Sequence, residues 1–293
     1  TSVPDCWVYD SRGWSPLPTP VNMQNLYGRA AAYDPDNHRI VFFGGFDGNT
    51  LRLNHTWALS GTEWTQITNG GAAMPSGRTD PVFVWDGARH RFLMFGGTGN
   101  GGPPTSTPED TWQLVGDTWS LLNTPTHPTS RAAAASVYDP VRRRVVVFSG
   151  AAGSATARTD TWQFDDQGWS QLSPTVSPPG RWSARTVVDP ETGRILVVGG
   201  AVPGLTTTDA WVLDGDQWAD VSVSMPDRAG HLLHWDPTRR RAVLFGGRMP
   251  SAGGWLNDTW FFSNNTWSPL GAGALPSGRS SATQVYDAVR GRT

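Results

Sequence analysis

Asp258-Thr259-Trp260-Phe261-Phe262-Ser263-Asn264-Asn265-Thr266-Trp267 decides how this chain is read, because its two tryptophans stand seven apart and the same pair returns along the sequence. The pairs are Trp7/Trp14, Trp57/Trp64, Trp112/Trp119, Trp162/Trp169, Trp211/Trp218 and Trp260/Trp267. Between the members of each pair lies a short polar or glycine-containing turn, such as Val115-Gly116-Asp117 or Asp214-Gly215-Asp216, flanked by residues of high β-propensity. That pattern reads as a β-hairpin. Twelve of the sixteen tryptophans therefore belong to one repeated hairpin, and the repeat has to be settled before any residue is read as functional.

Working outward from the hairpin, an aromatic position recurs at Tyr33, Trp85, Tyr138, Trp235 and Tyr286, with Val188 in the same register. The next residue is always aspartate: Asp34, Asp86, Asp139, Asp189, Asp236 and Asp287. Six residues after the aromatic position comes arginine, at Arg39, Arg91, Arg144, Arg194, Arg241 and Arg292. Apolar runs such as Phe92-Leu93-Met94-Phe95 then end at a glycine pair whose second member is Gly45, Gly97, Gly150, Gly200 or Gly247. Short apolar runs closed by glycine are expected to be strands buried on both faces. Seven residues before the aromatic position stands Arg78, Arg131, Arg181, Arg228 or Arg279, and only the first unit departs, with Leu26. A further aspartate, at Asp5, Asp110, Asp160, Asp209 and Asp258, precedes the first tryptophan of each hairpin by two, and His55 alone breaks that series.

Each unit is thus expected to hold four strands, with the glycine pair closing the second and the tryptophans on the third and fourth. Double glycine and spaced aromatic pair together resemble the kelch repeat, of the bacterial type, over nearly the whole chain. The resemblance implies an all-β propeller with one four-stranded antiparallel blade per repeat. Five complete units run from 26 to 270. A sixth blade is expected from both chain ends, the hairpin at 5–17 supplying its outer strands and residues 279–293 its inner strand, so that 1–293 forms one six-bladed domain. Its second strand is not accounted for, which points to a shortened blade or a chain cut from a longer protein.

Composition excludes several function classes. A net charge of −2 offers no electrostatic case for nucleic acid or an anionic membrane surface. No apolar run reaches eighteen residues, so no membrane insertion is expected. Cys6 stands alone, which excludes an internal disulfide, and no cysteine and histidine set has zinc-ligand spacing. His231 and His234, three apart in an expected strand, face opposite ways and do not chelate one ion. Copper chemistry of the kind found in kelch-propeller oxidases needs a cysteine joined to tyrosine, whereas Cys6 neighbours a hairpin tryptophan. No metal or cofactor is expected. The compartment stays open, with a leaning to the secreted or cell-surface side.

Six copies of one aspartate and one arginine around a ring do not make an active site, so both series are read as turn and inter-strand hydrogen-bond partners. Function is sought where the repeat breaks. At the entrance of the innermost strand the units read Gly28-Arg29, Asp80-Pro81, Ala133-Ala134, Ser183-Ala184, Gly230-His231 and Ser281-Ala282. Arg29, Asp80 and His231 stand out there, with Trp182 and Arg185 beside them. The loops after the glycine pairs add Phe46, Asp47, Asn100, Arg248 and Trp255, and Trp255 belongs to no hairpin pair. These ten residues are the candidate ligand-binding set.

The expected function is a binding module that presents a loop-lined propeller face to a protein, peptide or glycan, as a monomer or as part of a larger chain. The alternatives are an enzyme or mutarotase acting on a small sugar or carboxylated substrate, with Arg29, Asp80, Arg185 and His231 as its catalytic residues, and a spacer domain of a surface protein. Sixteen tryptophans invite a carbohydrate-binding reading, but the repeat accounts for most of them.

Overall fold

The computed structural model describes residues 6–10, 13–18, 20, 26–48, 51–68, 73–100, 107–153, 156–202, 205–223, 226–249, 253–271 and 277–278. Among them the regular elements are all strands. Most of them form five four-stranded antiparallel sheets of meander order, here blades I to V, and Arg78–Thr79 pairs with Thr98–Gly99 in a short two-stranded sheet. Blade I is Ala30–Asp34, Arg39–Phe43, Thr56–Ser60 and Glu63–Ile67. Blade II is Val82–Asp86, Arg91–Phe95, Thr111–Val115 and Thr118–Leu122. Blade III is Ala135–Asp139, Arg144–Phe148, Thr161–Asp165 and Gly168–Leu172. Blade IV is Arg185–Val188, Ile195–Val202, Leu205–Asp214 and Gln217–Asp220. Blade V is Leu232–Asp236, Arg241–Met249, Gly254–Ser263 and Thr266–Pro269.

The amino-terminal hairpin, Cys6–Asp10 with Gly13–Leu17, is a two-stranded sheet. The inner strand expected at 279–293 lies outside the described residues, as do Asp5, Tyr286, Asp287 and Arg292. The chain divides into two compact units, Thr1–Pro125 with Thr129–Ala132, and Thr126–Pro128 with Ala133–Thr293. The first holds blades I and II, the second blades III to V. Within each unit the innermost strands of consecutive blades pack against one another.

The second strands are the most deeply buried, as their sequence demands: Arg144–Phe148 is buried throughout, and Phe92 to Phe95 are all at most 1% exposed. In the first unit Val41 and Phe43 of blade I pack on Phe83, Met94 and Trp119 of blade II. Phe43 meets Trp119 edge-on at 5.4 Å. Each such side chain removed from water stabilises by about 1.5–3 kcal/mol. Equivalent clusters in the second unit join Val146 and Phe148 to Trp218, and Val198 and Val212 to Leu244 and Phe262.

The two arginine series do different work. After the aromatic position, Asp34 Oδ1 accepts the backbone N–H groups of Asp36 and Asn37, and its Oδ2 takes Arg39 Nε at 2.9 Å. Asp139, Asp189 and Asp236 bond their own turns in the same way. The rest of the arginine reaches the next blade. Arg39 Nη1 meets Asp117 Oδ1 at 2.6 Å and Nη2 meets the Gly116 carbonyl at 2.8 Å; Arg144 repeats this on Asp216 and Gly215, both at 2.6 Å.

The earlier arginine pairs with the aspartate before the tryptophan hairpin, a connection between the two series that their spacing does not reveal. Arg78, Arg181 and Arg228 are at most 1% exposed. Each gives both Nη groups to one carboxylate: Arg78 to Asp110 at 2.6 and 3.0 Å, Arg181 to Asp209 at 2.5 Å twice, and Arg228 to Asp258 at 2.9 and 2.7 Å. Nη1 also reaches the carbonyl of the first glycine of the pair, at Gly96, Gly199 and Gly246. The same aspartate accepts the indole N–H of the first hairpin tryptophan, Trp112, Trp211 or Trp260. Burial pushes these carboxyls up, but hydrogen bonds from arginine and tryptophan outweigh it and hold Asp110, Asp209 and Asp258 below the usual range. Blade I lacks both partners together, Leu26 for the arginine and His55 for the aspartate, and Trp57 there has no acceptor for its indole N–H among the described residues.

Two expectations need correction. In the third unit the first residue of the glycine pair is Ser149, held at φ 60°. A Cβ at the equivalent Gly96 would lie 2.5 Å from the Arg131 carbonyl. Ser149 tolerates this approach by turning it into hydrogen bonds, its Oγ donating towards the Arg158 and Arg181 carbonyls at 2.5 and 2.7 Å. Also, His231 precedes its strand, which begins at Leu232.

Candidate functional site

In an antiparallel blade the start of the first strand, the end of the second and the start of the third lie at one end. The backbone pairings Tyr27 with Phe46, Trp182 with Ala201 and Ala229 with Arg248 place the candidate residues of each unit at that end.

The position two residues after the buried arginine, or after Leu26 in blade I, is left-handed in all five blades: Gly28 (φ 63°), Asp80 (51°), Ala133 (50°), Ser183 (55°) and Gly230 (63°). Its backbone links neighbouring blades, Asp80 N–H to the Gly28 carbonyl at 2.9 Å and Ser183 N–H to the Ala133 carbonyl at 2.8 Å. Glycine and aspartate tolerate that conformation better than most residues. Asp80 therefore has a backbone reason to be present. It keeps solvent access but is crowded, and this partial desolvation raises its carboxyl above the usual range, against a Thr79 hydrogen bond and the charge of Arg52.

The rest of the first unit's set is engaged locally, within blade I or, for Asn100, across from the loop of blade II to that of blade I. Asn100 Oδ1 accepts the Arg52 N–H at 2.7 Å and its Nδ2 donates to the Arg52 carbonyl at 2.9 Å. The Arg52 guanidinium lies over Phe46, 5.5 Å from the ring centre, and Asp47 accepts the Leu51 N–H at 3.3 Å. Arg29 lies over Phe42 at 5.7 Å. These residues brace the loop after the first glycine pair.

The second unit is more open. In blades IV and V the second and third strands run on past the glycine pair, through bulges at Val198/Gly200 and Phe245/Gly247, to form projecting hairpins. On blade V Arg248 and Trp255 are direct cross-strand partners and so share a face. Trp255 is 58% exposed, so it does not pack its loop onto the blade. Arg248 is exposed as well. On blade IV Trp182 is half-buried, and Arg185 opens the inner strand with no hydrogen-bond or ion-pair partner among the described residues. Crowding lowers the guanidinium's pKa.

His231 sits beneath them, 1% exposed. It is wedged between the glycine pairs: a Cβ at Gly199 would stand 3.0 Å from its Cε1, and one at Gly247 3.2 Å from its Cβ. Neither ring nitrogen has a partner among the described residues. Burial, then the charges of Arg228 and Arg185, lower its pKa to about 3, so the imidazole is neutral at physiological pH. His234 is buried in the adjacent strand, and no group of three metal-ligating side chains occurs among the described residues.

With the blades and this end of them defined, sequence comparison gives a consistent answer. The family described as the KLHDC2/KLHL20/DRC7 Kelch-repeats domain matches residues 3–200. The chain belongs to this kelch-repeat family. A curated relative, "Dynein regulatory complex subunit 7" of Chlamydomonas reinhardtii, is 37% identical over 79 residues, 26% of this chain and 6% of that protein. The kelch chain thus matches a small part of that relative's length. The kelch match includes the described blades I to III, and the same Asp–Arg–Trp lattice continues through blades IV and V.

Proposed function

We propose that this kelch chain is a binding module whose ligand face is the end of the blades bearing the glycine-pair loops, and that its partner is a protein engaged through a peptide segment. The reading rests chiefly on the cross-strand pair Arg248 and Trp255, an exposed guanidinium beside an exposed indole on a projecting hairpin. Tryptophan and arginine are the residues on which interface energy concentrates. Trp182 and Arg185 extend this surface on blade IV, while Arg29, Phe46, Asp47, Asp80 and Asn100 shape the corresponding end in the first unit. The relative is, by its name, a subunit of a regulatory complex, which favours a protein partner over a glycan.

The six-bladed ring belongs to the same proposal, with the hairpin Cys6–Asp10 and Gly13–Leu17 as outer strands of a blade completed by residues 279–293. It would make 1–293 one domain without a free sheet edge. The enzymic reading through Arg29, Asp80, Arg185 and His231 draws on the raised carboxyl of Asp80. Against it stand the backbone role of Asp80 and the burial of His231, which is neutral and a poor proton donor near pH 7.

A peptide array probed with the purified chain, beside a glycan array, tests the proposal. Binding to peptides that falls at least about tenfold in a Trp255→Ala, Arg248→Ala double variant is expected. Unchanged binding in that variant, or binding to glycans alone, would overturn it.

A further inference from the structure

At the opposite end of the blades, between IV and V, lies a cleft of about 480 Å³. Its wall on blade IV is Val187, Leu196 and Val212, and on blade V Trp235 and Phe262. Three guanidinium groups, of Arg194, Arg239 and Arg240, line it against one carboxylate, of Asp189.

The neighbouring junction, between blades III and IV, shows why the cleft is open. There Arg142 crosses to the Gly193 carbonyl at 3.1 Å and towards Asp214 at 3.6 Å. Arg144 is pinned by Gln163 while it reaches Gly215 and Asp216. Blade IV has Thr192 where blade III has Arg142, and Val212 where it has Gln163. Thr192 is too short to cross, and its hydroxyl is spent on Asp189 at 2.8 Å. Val212 offers no acceptor, so Arg194 is drawn outward to Asn265 and to Asp214 at 3.2 Å. Two breaks in the repeat thus remove the Arg142 crossing and the glutamine that pins Arg144 over the preceding junction, leaving Arg194 to bridge to blade V from the edge of the cleft.

We propose that this cleft binds a small, ring-bearing organic anion. Its volume lies within the range of small-ligand sites, and it is more polar than most of them, with an apolar wall on each blade and arginines beside it. The ring would lie against Trp235 and Phe262, and the acidic group would meet the arginines. Asp189 is occupied by its own turn, accepting the Glu191 N–H at 3.0 Å. Arg239 pairs with Asp236 at 3.1 Å, and Arg240 with Glu191 at 2.6 Å in a mostly exposed contact. The exposed Arg240–Glu191 pair contributes little, so an incoming anion displaces it at small cost, whereas Arg239 keeps its bond to the buried Asp236 and offers its remaining donors. Each guanidinium has five N–H donors, more than one carboxylate uses.

The test is a titration of the purified chain with 8-anilinonaphthalene-1-sulfonate, read by energy transfer from tryptophan. One saturable site is expected. Thr192→Arg, which restores the arm that Arg142 supplies at the preceding junction, should weaken it at least about tenfold, and so should Arg239→Ala with Arg240→Ala, with circular dichroism checking that the variant folds. The uncharged N-phenyl-1-naphthylamine should bind at least about tenfold more weakly. Trp255→Ala should leave the affinity unchanged, which separates this site from the proposed partner face. Absence of a saturable site, equal affinity for the uncharged probe, or full affinity in the arginine-to-alanine variant would overturn the proposal.

Discussion

The guanidinium of Arg228, wholly buried, lies flat against the carboxylate of Asp258, Nη1 to Oδ1 at 2.9 Å and Nη2 to Oδ2 at 2.7 Å. The pair closes the gap between the entrances of the first and third strands of blade V. Because Arg228 also holds the Gly246 carbonyl, its loss would leave several polar groups without partners. Arg228→Leu alone is expected to lower stability by about 3–5 kcal/mol. The double change Arg228→Leu with Asp258→His copies what blade I has at Leu26 and His55, and it should cost less than the sum of the single changes. Urea unfolding midpoints in a double-mutant cycle measure the coupling; simple additivity would show that the two residues are energetically independent.

His231 makes stability depend on pH. Its folded pKa of about 3 lies below its unfolded value, so the folded state binds fewer protons as pH falls. The contribution is complete above about pH 6.5 and is lost as pH falls towards 3, at up to about 1.4 kcal/mol per pH unit. Asp258 adds a loss only below the ordinary carboxylate range, and Asp80, whose carboxyl is raised, works in the other direction nearer that range. His231→Asn should flatten the stability profile between pH 6.5 and 5, measured by denaturant unfolding at each pH.

The second tryptophan of a hairpin donates to a threonine of the preceding blade, Trp119 to Thr56 at 2.9 Å and Trp218 to Thr161 at 3.0 Å. Trp267 meets Ala210 at the matching position, and its indole N–H has no partner among the described residues. Ala210→Thr should supply the missing hydroxyl and raise stability by about 0.5–1.5 kcal/mol. Thr56→Val, which orphans Trp119, should lower it by about 1–3 kcal/mol. Thermal melts of both variants test the pair.

Asp80 separates backbone need from chemistry. If its left-handed φ of 51° is the constraint, Asp80→Gly keeps or raises stability, by up to about 1 kcal/mol, whereas Asp80→Val loses more than that. Equal destabilisation by glycine and valine would point to a side-chain role.

Blades I to V were legible in the sequence because their period and buried runs are local signals, and the turn aspartates were legible for the same reason. The Arg228–Asp258 pair was not, although both residues stood out, since a recurring position carries no information about which other one it touches 30 residues away. The left-handed position was hidden because glycine, aspartate, alanine and serine share it, so a common backbone conformation looks like side-chain variety. Asp80 drew notice as a possible proton carrier on that account. Arg248 and Trp255 were visible as departures from the repeat, but their standing side by side depends on the hairpin register beyond the bulge at Gly247. Thr192 and Val212 carry no such mark in the sequence, because the informative change at each is the loss of a longer polar side chain rather than the presence of an unusual one.

The inter-blade contacts of Arg39, Arg144, Arg194, Trp119 and Trp218 all join a blade to its immediate neighbour in the sequence. Arginines reach forward to the turn of the blade that follows, and tryptophans reach back to a hydroxyl of the blade before. A growing polypeptide therefore presents, at the edges of finished blades I and III, an arginine arm and a threonine acceptor for the segment synthesised next, and at the edge of blade IV the arginine arm alone. At these junctions growth from the amino end has a template, and removing the last blade would uncover the half of the shared core that Val198 and Val212 of blade IV contribute.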